Sequence, residues 1–360
     1  MSEVSLPRGQ RIFVETSIAN QRIEYALPSL LKEISFRPCA HPPAREPGYD
    51  RSLTFIASSP LLDVILSERT RPWSEQVQSS TVTSNDIATA RFTRNLIQSH
   101  AASPISGTTL RTINGEVRGL PSPSATPYRS VLTWVGGQIP ASAALVPPPS
   151  DQIEEYLSDL IAFLQREDTP ESFVLAMAYY QFLTIHPFKD ANGRVARLLV
   201  ALQSYRKHGS SAQGSILAAG LSAKREAVAR SFVAVFDGNC DPYLALWAML
   251  EAWCACVAEF AALSLSQMRA ALRERLGSLR WKGAFTTLIE LAPLLSRANF
   301  NSIVPGSDRL VQSYLSSLER DQVIRRVEGR EDEKWECLDA MAHWERVRNF
   351  AMTTIAEMQC

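Results

Sequence analysis

The sequence HPFKDANGRVAR occupies residues 186–197 and connects two strongly apolar segments, residues 173–185 and 198–205. Each flanking segment has the length and composition of a buried helix. A polar turn between such helices is a common position for functional residues, because the helices hold it in a fixed geometry. We therefore expect residues 186–197 to form the functional centre of a helical domain.

The composition of this turn suits a nucleotide polyphosphate. Residues 190–193 (Asp-Ala-Asn-Gly) are typical of a turn that opens a helix, where free backbone N–H groups and the helix dipole attract anions. Gly193 allows the backbone to approach a phosphate closely. Arg194 and Arg197 share a helix face, so both guanidinium groups can bind phosphate oxygens.

Two further side chains of the turn indicate catalysis. Asp190 is a hard oxygen ligand of the kind that Mg²⁺ prefers, and phosphates would bind the same ion. His186 is neutral near pH 7 in its ordinary state and can take a proton from an incoming hydroxyl group. On composition alone, a structural Asn-Gly turn with an incidental histidine explains the segment equally well.

The order of the residues favours the functional interpretation, because it resembles the Fic-family motif H-x-F-x-[DE]-[GA]-N-G-R-x-x-R. At about 5% usage per residue type, a chance match is on the order of 10⁻⁹ per start position. A second similarity lies upstream, where residues 134–137 and 146–149 resemble the family's W-[IV]-G-G…V-P-P-P run, with Tyr128 and Arg129 before it. The fixed positions that match are His186, Phe188, Asp190, Asn192, Gly193, Arg194 and Arg197.

This resemblance, which covers about residues 125–275, implies an enzyme that transfers AMP from ATP to a Tyr, Thr or Ser hydroxyl of a protein target. His186 would be the general base, and Asp190 would hold Mg²⁺ on the α- and β-phosphates. The arginines would neutralise the β- and γ-phosphates, which makes diphosphate a better leaving group. The residues implied to hold the nucleotide are Ala191, Asn192, Gly193, Arg194 and Arg197.

The same resemblance implies a short β-hairpin flap at Thr133, Trp134 and Val135. Its backbone edge would bind the target segment as an added strand.

Two departures from the family pattern concern regulation and nucleotide binding. Relatives with an inhibitory helix carry [ST]-x-x-x-E-[GN], whereas the nearest counterpart here has Thr83 in place of Glu and Ser84 in place of Gly. We therefore expect an enzyme that is not self-inhibited in this way, or one with another restraint. Residues 222–228 lack the aromatic side chains found in many relatives, so the nucleotide-base side is expected to be built differently.

The predicted fold is all-α, with a Fic-like helical core, the flap and a C-terminal winged helix-turn-helix. We expect a helical N-terminal region over residues 1–100, the core over 101–275 and the winged helix over 276–360. Residues 101–150 are predicted to be loop around a β-like piece at 131–135. Helices are predicted at 21–34, 84–98, 151–165, 172–185, 194–205, 222–237, 242–275, 281–291 and 309–318, and strands at 322–327 and 334–337.

Composition narrows the function classes. The chain has 360 residues and a formal charge of +0, which argues against a strongly basic nucleic-acid binder and against a polybasic membrane binder. We expect no membrane association, because no apolar run approaches the roughly 20 residues of a membrane span. The six scattered cysteines predict reduced thiols and a cytoplasmic location.

Two alternatives stay open. The first is a Fic enzyme that transfers a different phosphate-containing group, although phosphotransferases of the family usually have Lys at the position of Gly193. The second is a nucleotide-sensing, DNA-binding regulator that uses the winged helix, whose basic residues are interspersed with acidic ones. A homodimer is also left open by the sequence.

Overall fold

The structure is a computed structural model. It describes residues 3–5, 10–15, 22–27, 30–33 and 35–37, and from residue 84 onward all except 121–125, 136, 137, 144, 237, 238, 292, 293, 305, 328–332, 359 and 360. The described part is mostly helical, with small antiparallel sheets.

The described N-terminal residues form strands, so the predicted helix over residues 21–34 is wrong. Its place is taken by a strand and a single 3-10 turn, Leu31–Glu33. Ile23, Tyr25 and Leu27 alternate with Glu24 and the small Ala26, and this period of two outweighs the helical spacing. Residues 51–83, including the counterpart of the inhibitory motif up to Thr83, lie outside the described residues. The strands are β1 Glu3–Ser5, β2 Gln10–Glu15, β3 Arg22–Leu27 and β4 Ser35–Arg37, paired β1 with β4 and β2 with β3.

Two of the described helices precede the flap. The first, α1 Ser84–Ala101, confirms the prediction over 84–98. The second, α2 Gly107–Val117, lies inside the region that we predicted to be loop. Ser106 caps it by accepting a hydrogen bond from the backbone N–H of Thr109. The abundance of proline and serine in residues 101–150 concealed this short, well-capped helix.

The predicted β-like piece at 131–135 is reduced to one bridge. The backbone N–H of Val135 donates to the carbonyl of Leu145 at 2.8 Å, and the N–H of Leu145 donates back to Val135 at 3.2 Å. Among its described residues, the flap is therefore a loop held by one pair of backbone hydrogen bonds between Val135 and Leu145.

Five helices form the centre of the larger core. The central two, residues 171–185 and 192–208, are buried on nearly all sides, as their continuous apolar composition predicts. The helix of residues 212–223 was not predicted, because its glycines hide the pattern. A Cβ on Gly214 would lie 2.5 Å from the carbonyl oxygen of Val200, so glycine permits this close helix packing. The bounds are α3 Ile153–Phe163, α4 Glu171–Ile185, α5 Asn192–His208, α6 Ala212–Ala223 and α7 Arg225–Phe236.

The long helix α8, Asp241–Leu276, is the one helix of the described ranges with the length and hydropathy to cross a membrane. Long core helices of folded domains pass the same test, so this is weak evidence for a membrane span. Buried residues recur along α8 from Tyr243 to Leu276 and contribute to two hydrophobic clusters.

The C-terminal part alternates helices with a small sheet. The strands have the order β5-β7-β6 and are all antiparallel. The predictions over 281–291, 309–318 and 334–337 are confirmed, while the strand over 322–327 is shorter and the last helix was missed. The bounds are α9 Lys282–Leu291, β5 Leu294–Ser296, α10 Arg297–Ile303, α11 Asp308–Arg320, β6 Ile324–Arg326, β7 Lys334–Cys337 and α12 Leu338–Glu357.

Helices α8 and α12 join the two hydrophobic clusters. Trp344 of α12 packs in the smaller cluster, whereas Val347 of the same helix packs in the larger one. One residue before Trp344, Nδ1 of His343 forms a buried hydrogen bond of 2.6 Å with the hydroxyl group of Ser264 of α8. Burial lowers the pKa of His343 from 6.5 to about 3, so this histidine is neutral at ordinary pH.

This buried histidine predicts a pH dependence of stability. The unfolded chain takes up the proton near pH 6.5 and the folded chain near pH 3, so the stabilisation is present above pH 6.5 and is lost as the pH falls toward 3. Between pH 6.5 and 4 we expect native protein to lose about 1–3 kcal/mol more than His343→Gln, which cannot titrate. Urea unfolding at pH 6.5, 5 and 4 measures this, and parallel losses in the two proteins would contradict the assignment.

Candidate active site

The predicted motif forms the connection between α4 and α5. His186 ends α4 in the left-handed conformation with φ 48°, and Ala191 precedes α5 with φ 67°. Such conformations are uncommon for residues other than glycine, and they persist where the surroundings impose them, often at functional sites. The loop, residues 186–191, is thus a constrained connection between two buried helices.

Asn192 holds the loop together. Its Nδ2 donates to the carbonyl of Phe188 at 2.7 Å, and its Oδ1 accepts from the N–H of Phe188 at 3.0 Å. Phe188 is 1% exposed and packs its ring near those of Tyr128 and Phe182. Phe188 therefore fills the core beneath the loop. The Asn192 side chain braces the loop from within, while its implied role at a phosphate stays a prediction.

Arg129 braces the start of the loop. Its Nε donates to the carbonyl of His186 at 2.8 Å, and one terminal nitrogen donates to the carbonyls of Ile185, at 3.2 Å, and Pro148. The backbone N–H of Arg129 donates to the carbonyl of Pro187 at 2.9 Å. These contacts satisfy carbonyl groups that the end of α4 leaves without helical partners.

The imidazole of His186 is poised as a neutral base. Burial, with a contribution from the nearby charge of Arg129, lowers its pKa from 6.5 to about 4. Nδ1 lies 3.3 Å from the carbonyl oxygen of Leu183. A proton on Nδ1 satisfies this contact and leaves the lone pair of Nε2 available to accept a proton.

Asp190 is exposed at the edge of the loop. Its Oδ1 accepts from the N–H of Ala191 at 2.6 Å, while its Oδ2 lies 3.6 Å from Arg194 and 4.0 Å from Arg118. Its backbone carbonyl accepts from Nδ2 of Asn114 at 2.9 Å. The carboxylate is therefore held in place by cations while 64% of its side chain stays open to solvent.

The two motif arginines are largely buried. Arg194 donates to the carbonyl of Val117 at the end of α2 at 3.0 Å. Burial lowers the pKa of Arg197, while a hydrogen bond to the Tyr179 hydroxyl opposes that shift. A Cβ on Gly193 would lie 3.2 Å from a terminal nitrogen of Arg197, so glycine leaves room for that guanidinium group. Both arginines lie on α5, and the charge of Arg194 also lowers the pKa of Arg197, whereas their binding of phosphate stays a prediction.

The flap exposes apolar side chains. Trp134 and Val135 are each 39% exposed, and Val131 and Ile139 beside them are also exposed. Thr133 has a buried hydroxyl oxygen with no hydrogen-bond partner among the described residues. Residues 136, 137 and 144, which would complete the hairpin, lie outside those residues.

Several site residues escaped the sequence analysis. Asn114 and Arg118 belong to α2 and its end, in the segment that we had predicted to be loop, and Tyr179 lies in an apolar run. Thr126 donates a hydrogen bond of 2.9 Å to Oδ1 of Asn114 and fixes its orientation. The sequence signal for α2 and its polar residues is the helix-capping Ser106.

This arrangement places a neutral base, an exposed carboxylate and buried cations on one short connection. No group of three or more metal-binding side chains occurs among the described residues. An exposed carboxylate such as that of Asp190 suits a cation that takes its other ligands from phosphates and water.

Comparison with known proteins assigns the family of this region. Residues 94–204 match the model of the Fic/DOC family, so the chain contains a Fic/DOC-family domain. A curated relative, the protein adenylyltransferase Fic of Aedes aegypti, is 36% identical over 73 residues. That alignment spans 20% of this chain and 14% of the relative.

Two solved structures are also similar. A Fic family protein from Desulfovibrio desulfuricans is 19% identical, with a TM-score of 0.40 and coverage of 81% of this chain and 88% of that one. A Fic domain containing signaling protein from Bacteroides thetaiotaomicron is 15% identical, with a TM-score of 0.39 and coverage of 61% and 92%.

The bracing role of Asn192 is testable by its removal. Asn192→Ala leaves the buried N–H and C=O of Phe188 without these partners, so we expect a loss of about 1–3 kcal/mol in the free energy of unfolding. Asn301→Ala, at an exposed position of α10, is the matched control and should change it by less than about 0.5 kcal/mol. Denaturant unfolding measures both variants, and equal effects would contradict the bracing role.

Proposed function

We propose that this protein transfers AMP from ATP to the hydroxyl group of a Tyr, Thr or Ser side chain of another protein. The observation that carries this proposal is the neutral, constrained imidazole of His186 on the same short connection as Asp190 and the arginines of α5. The family assignment of residues 94–204 and the name of the Aedes aegypti relative support the same reaction class.

In the proposed reaction, Nε2 of His186 accepts the proton of the target hydroxyl. The hydroxyl oxygen then forms a bond to the α-phosphorus of ATP, and the bond between that phosphorus and the bridging oxygen to the β-phosphate breaks. Diphosphate leaves with the electron pair. Arg194 and Arg197 would stabilise the charge that develops on the leaving phosphates, so the protein acts mainly through positioning and electrostatics.

The nucleotide would lie at the start of α5. Ala191, Asn192 and Gly193 present backbone groups at a helix N-terminus, which favours anions. Because Gly193 has no side chain beside the guanidinium group of Arg197, the polyphosphate could approach both the backbone and Arg197 closely.

Asp190 would hold Mg²⁺ together with the phosphates. The residues present fit this ion, because the carboxylate is exposed, fixed by Ala191 and placed beside the proposed phosphate site. Bound there, Mg²⁺ would neutralise phosphate charge in the transition state. Asp190 would exchange its contacts with Arg118 and Arg194 for the ion, which frees both cations for the nucleotide.

The flap would receive the target protein. Thr133, Trp134 and Val135 form an exposed segment pinned by one bridge, so a strand of the target has both apolar side chains and backbone groups to bind. Thr83 stands where relatives with an inhibitory helix carry Glu. This supports an enzyme that is active without the removal of such an inhibitory contact.

We further propose that residues 282–357 form a winged helix, on the order α9-β5-α10-α11-β6-β7 and the three-stranded sheet. Three of its basic residues are paired with acids: Arg325 with Glu336, and Arg326 and Arg297 with Glu333. This pairing favours a role in protein contacts over the DNA-binding alternative. A cytoplasmic location and a homodimer stay predictions.

The general-base assignment is tested by label transfer. With ATP labelled at the α-phosphate, we expect native protein to label a target in a lysate, and His186→Ala to lose at least about 100-fold in rate while it still binds ATP. His208→Ala, at the far end of α5, is the matched control and should label normally. If a parallel reaction with ATP labelled at the γ-phosphate labels the target and the α-label does not, the protein transfers phosphate instead. A fully active His186→Ala would exclude His186 as the base.

The lowered pKa of His186 predicts a wide acidic range of activity. Because the base stays unprotonated down to about pH 4, kcat/KM should change little between pH 8 and 5.5. A histidine of ordinary pKa would lose about fivefold over the last unit of that range and about tenfold over the whole range. A pH–rate profile of the purified enzyme measures this, and an acidic limb centred near pH 6.5 would contradict the buried-base geometry.

A further inference from the structure

We propose that Arg129 is a positioning residue that locks the flap to the catalytic loop and holds His186 in its reactive orientation. The inference rests on the proposed function, and it deepens that function by naming the residue that sets where the bound target lies relative to His186.

The contacts of Arg129 reach both sides of the site. Its guanidinium group donates to the carbonyls of Ile185 and His186 at the end of α4, and also to the carbonyl of Pro148. Its backbone N–H donates to the carbonyl of Pro187. One side chain and its own peptide group therefore hold three consecutive residues around the base.

The contacts of Arg129 also anchor both ends of the flap segment. Residues 129 and 148 flank the flap segment, residues 130–147, and the same guanidinium group ties both ends of that segment to the loop. A target strand that binds beside Trp134 and Val135 is thus bound to a segment anchored on His186. Arg129 therefore fixes both the position of the bound target along the flap and the position of His186.

The chemistry requires an arginine. A planar guanidinium group can donate along several fixed directions at once, whereas a lysine ammonium is a compact charge on a flexible stem. Arg129 is 5% exposed, so water does not compete effectively for these carbonyls. The left-handed conformation of His186 turns its carbonyl away from the helix ladder and toward this donor.

Arg129 also acts on His186 through its charge. The charged groups of the site include Arg129, just before the flap segment, Lys189 and Asp190 of the loop, and Arg194 and Arg197 of α5. Of these, Arg129 is the one whose charge lowers the pKa of His186, in addition to burial. A variant that keeps the positive charge but loses the planar guanidinium donors therefore separates two effects of Arg129. One is the effect of its charge on the pKa of His186, and the other is the effect of its hydrogen bonds on the position of His186.

The experiment compares Arg129→Gln, Arg129→Lys and native protein, with Arg91→Gln on the exposed face of α1 as the charge-matched control. NMR titration of the His186 ring, assigned with His186→Ala, reports its pKa without any need for activity. Steady-state kinetics report kcat and the KM values for ATP and for the target.

We expect Arg129→Gln to raise the pKa of His186 and to lower kcat by at least about tenfold. Arg129→Lys should keep the low pKa but still lower kcat and raise the KM for the target, with the KM for ATP within twofold of native. Arg91→Gln should match native protein in every measurement. A residue with a merely structural role would not separate the pKa of His186 from kcat in this way.

Two results would overturn the proposal: an Arg129→Gln variant whose His186 pKa and kcat match native protein, or an Arg129→Lys variant with native kcat and native KM for the target. If Arg129→Gln fails to fold by circular dichroism, Arg129→Lys decides alone. If native protein transfers no AMP, the proposed function fails, whereas the titration still decides whether Arg129 controls His186.

Discussion

The contact between the Asn192 carboxamide and the backbone of Phe188 is the constraint on which the rest of the site depends. It closes the loop between α4 and α5 on itself and sets the point at which α5 begins. Because Phe188 is also buried among aromatic rings, the loop cannot shift without exposing apolar surface. The base at one end of the loop and the arginines beyond its other end therefore keep a fixed relation.

The surrounding elements add a second layer of support. Arg129 satisfies the carbonyls at the end of α4, and Asn114 holds the carbonyl of Asp190. Arg194 connects α5 to the end of α2. A site that acts through positioning and electrostatics requires such preorganisation, since the energetic cost of ordering its groups is met when the protein folds.

The C-terminal part packs against the helical core through α8 and α12. Each helix contributes to both hydrophobic clusters, so the two parts share a continuous packed junction. The buried pair of Ser264 and His343 lies at this junction and makes it sensitive to acid. A partner bound to the C-terminal part would thus act on a region packed against the helical core.

The sequence by itself determined the motif of residues 186–197, the helical class of the core and most helix positions, because these are encoded in local order and periodicity. It misassigned residues 21–34, since an apolar pattern of period two was read as helical, and it missed α2 because a single serine cap outweighs a proline-rich context. Only the tertiary structure decided which backbone groups Arg129 and Asn114 satisfy, how far burial lowers the pKa of His186, and that the Asn192 side chain faces the loop. The physical reason is that hydrogen-bond partners and desolvation depend on residues distant in sequence, which a local pattern does not record.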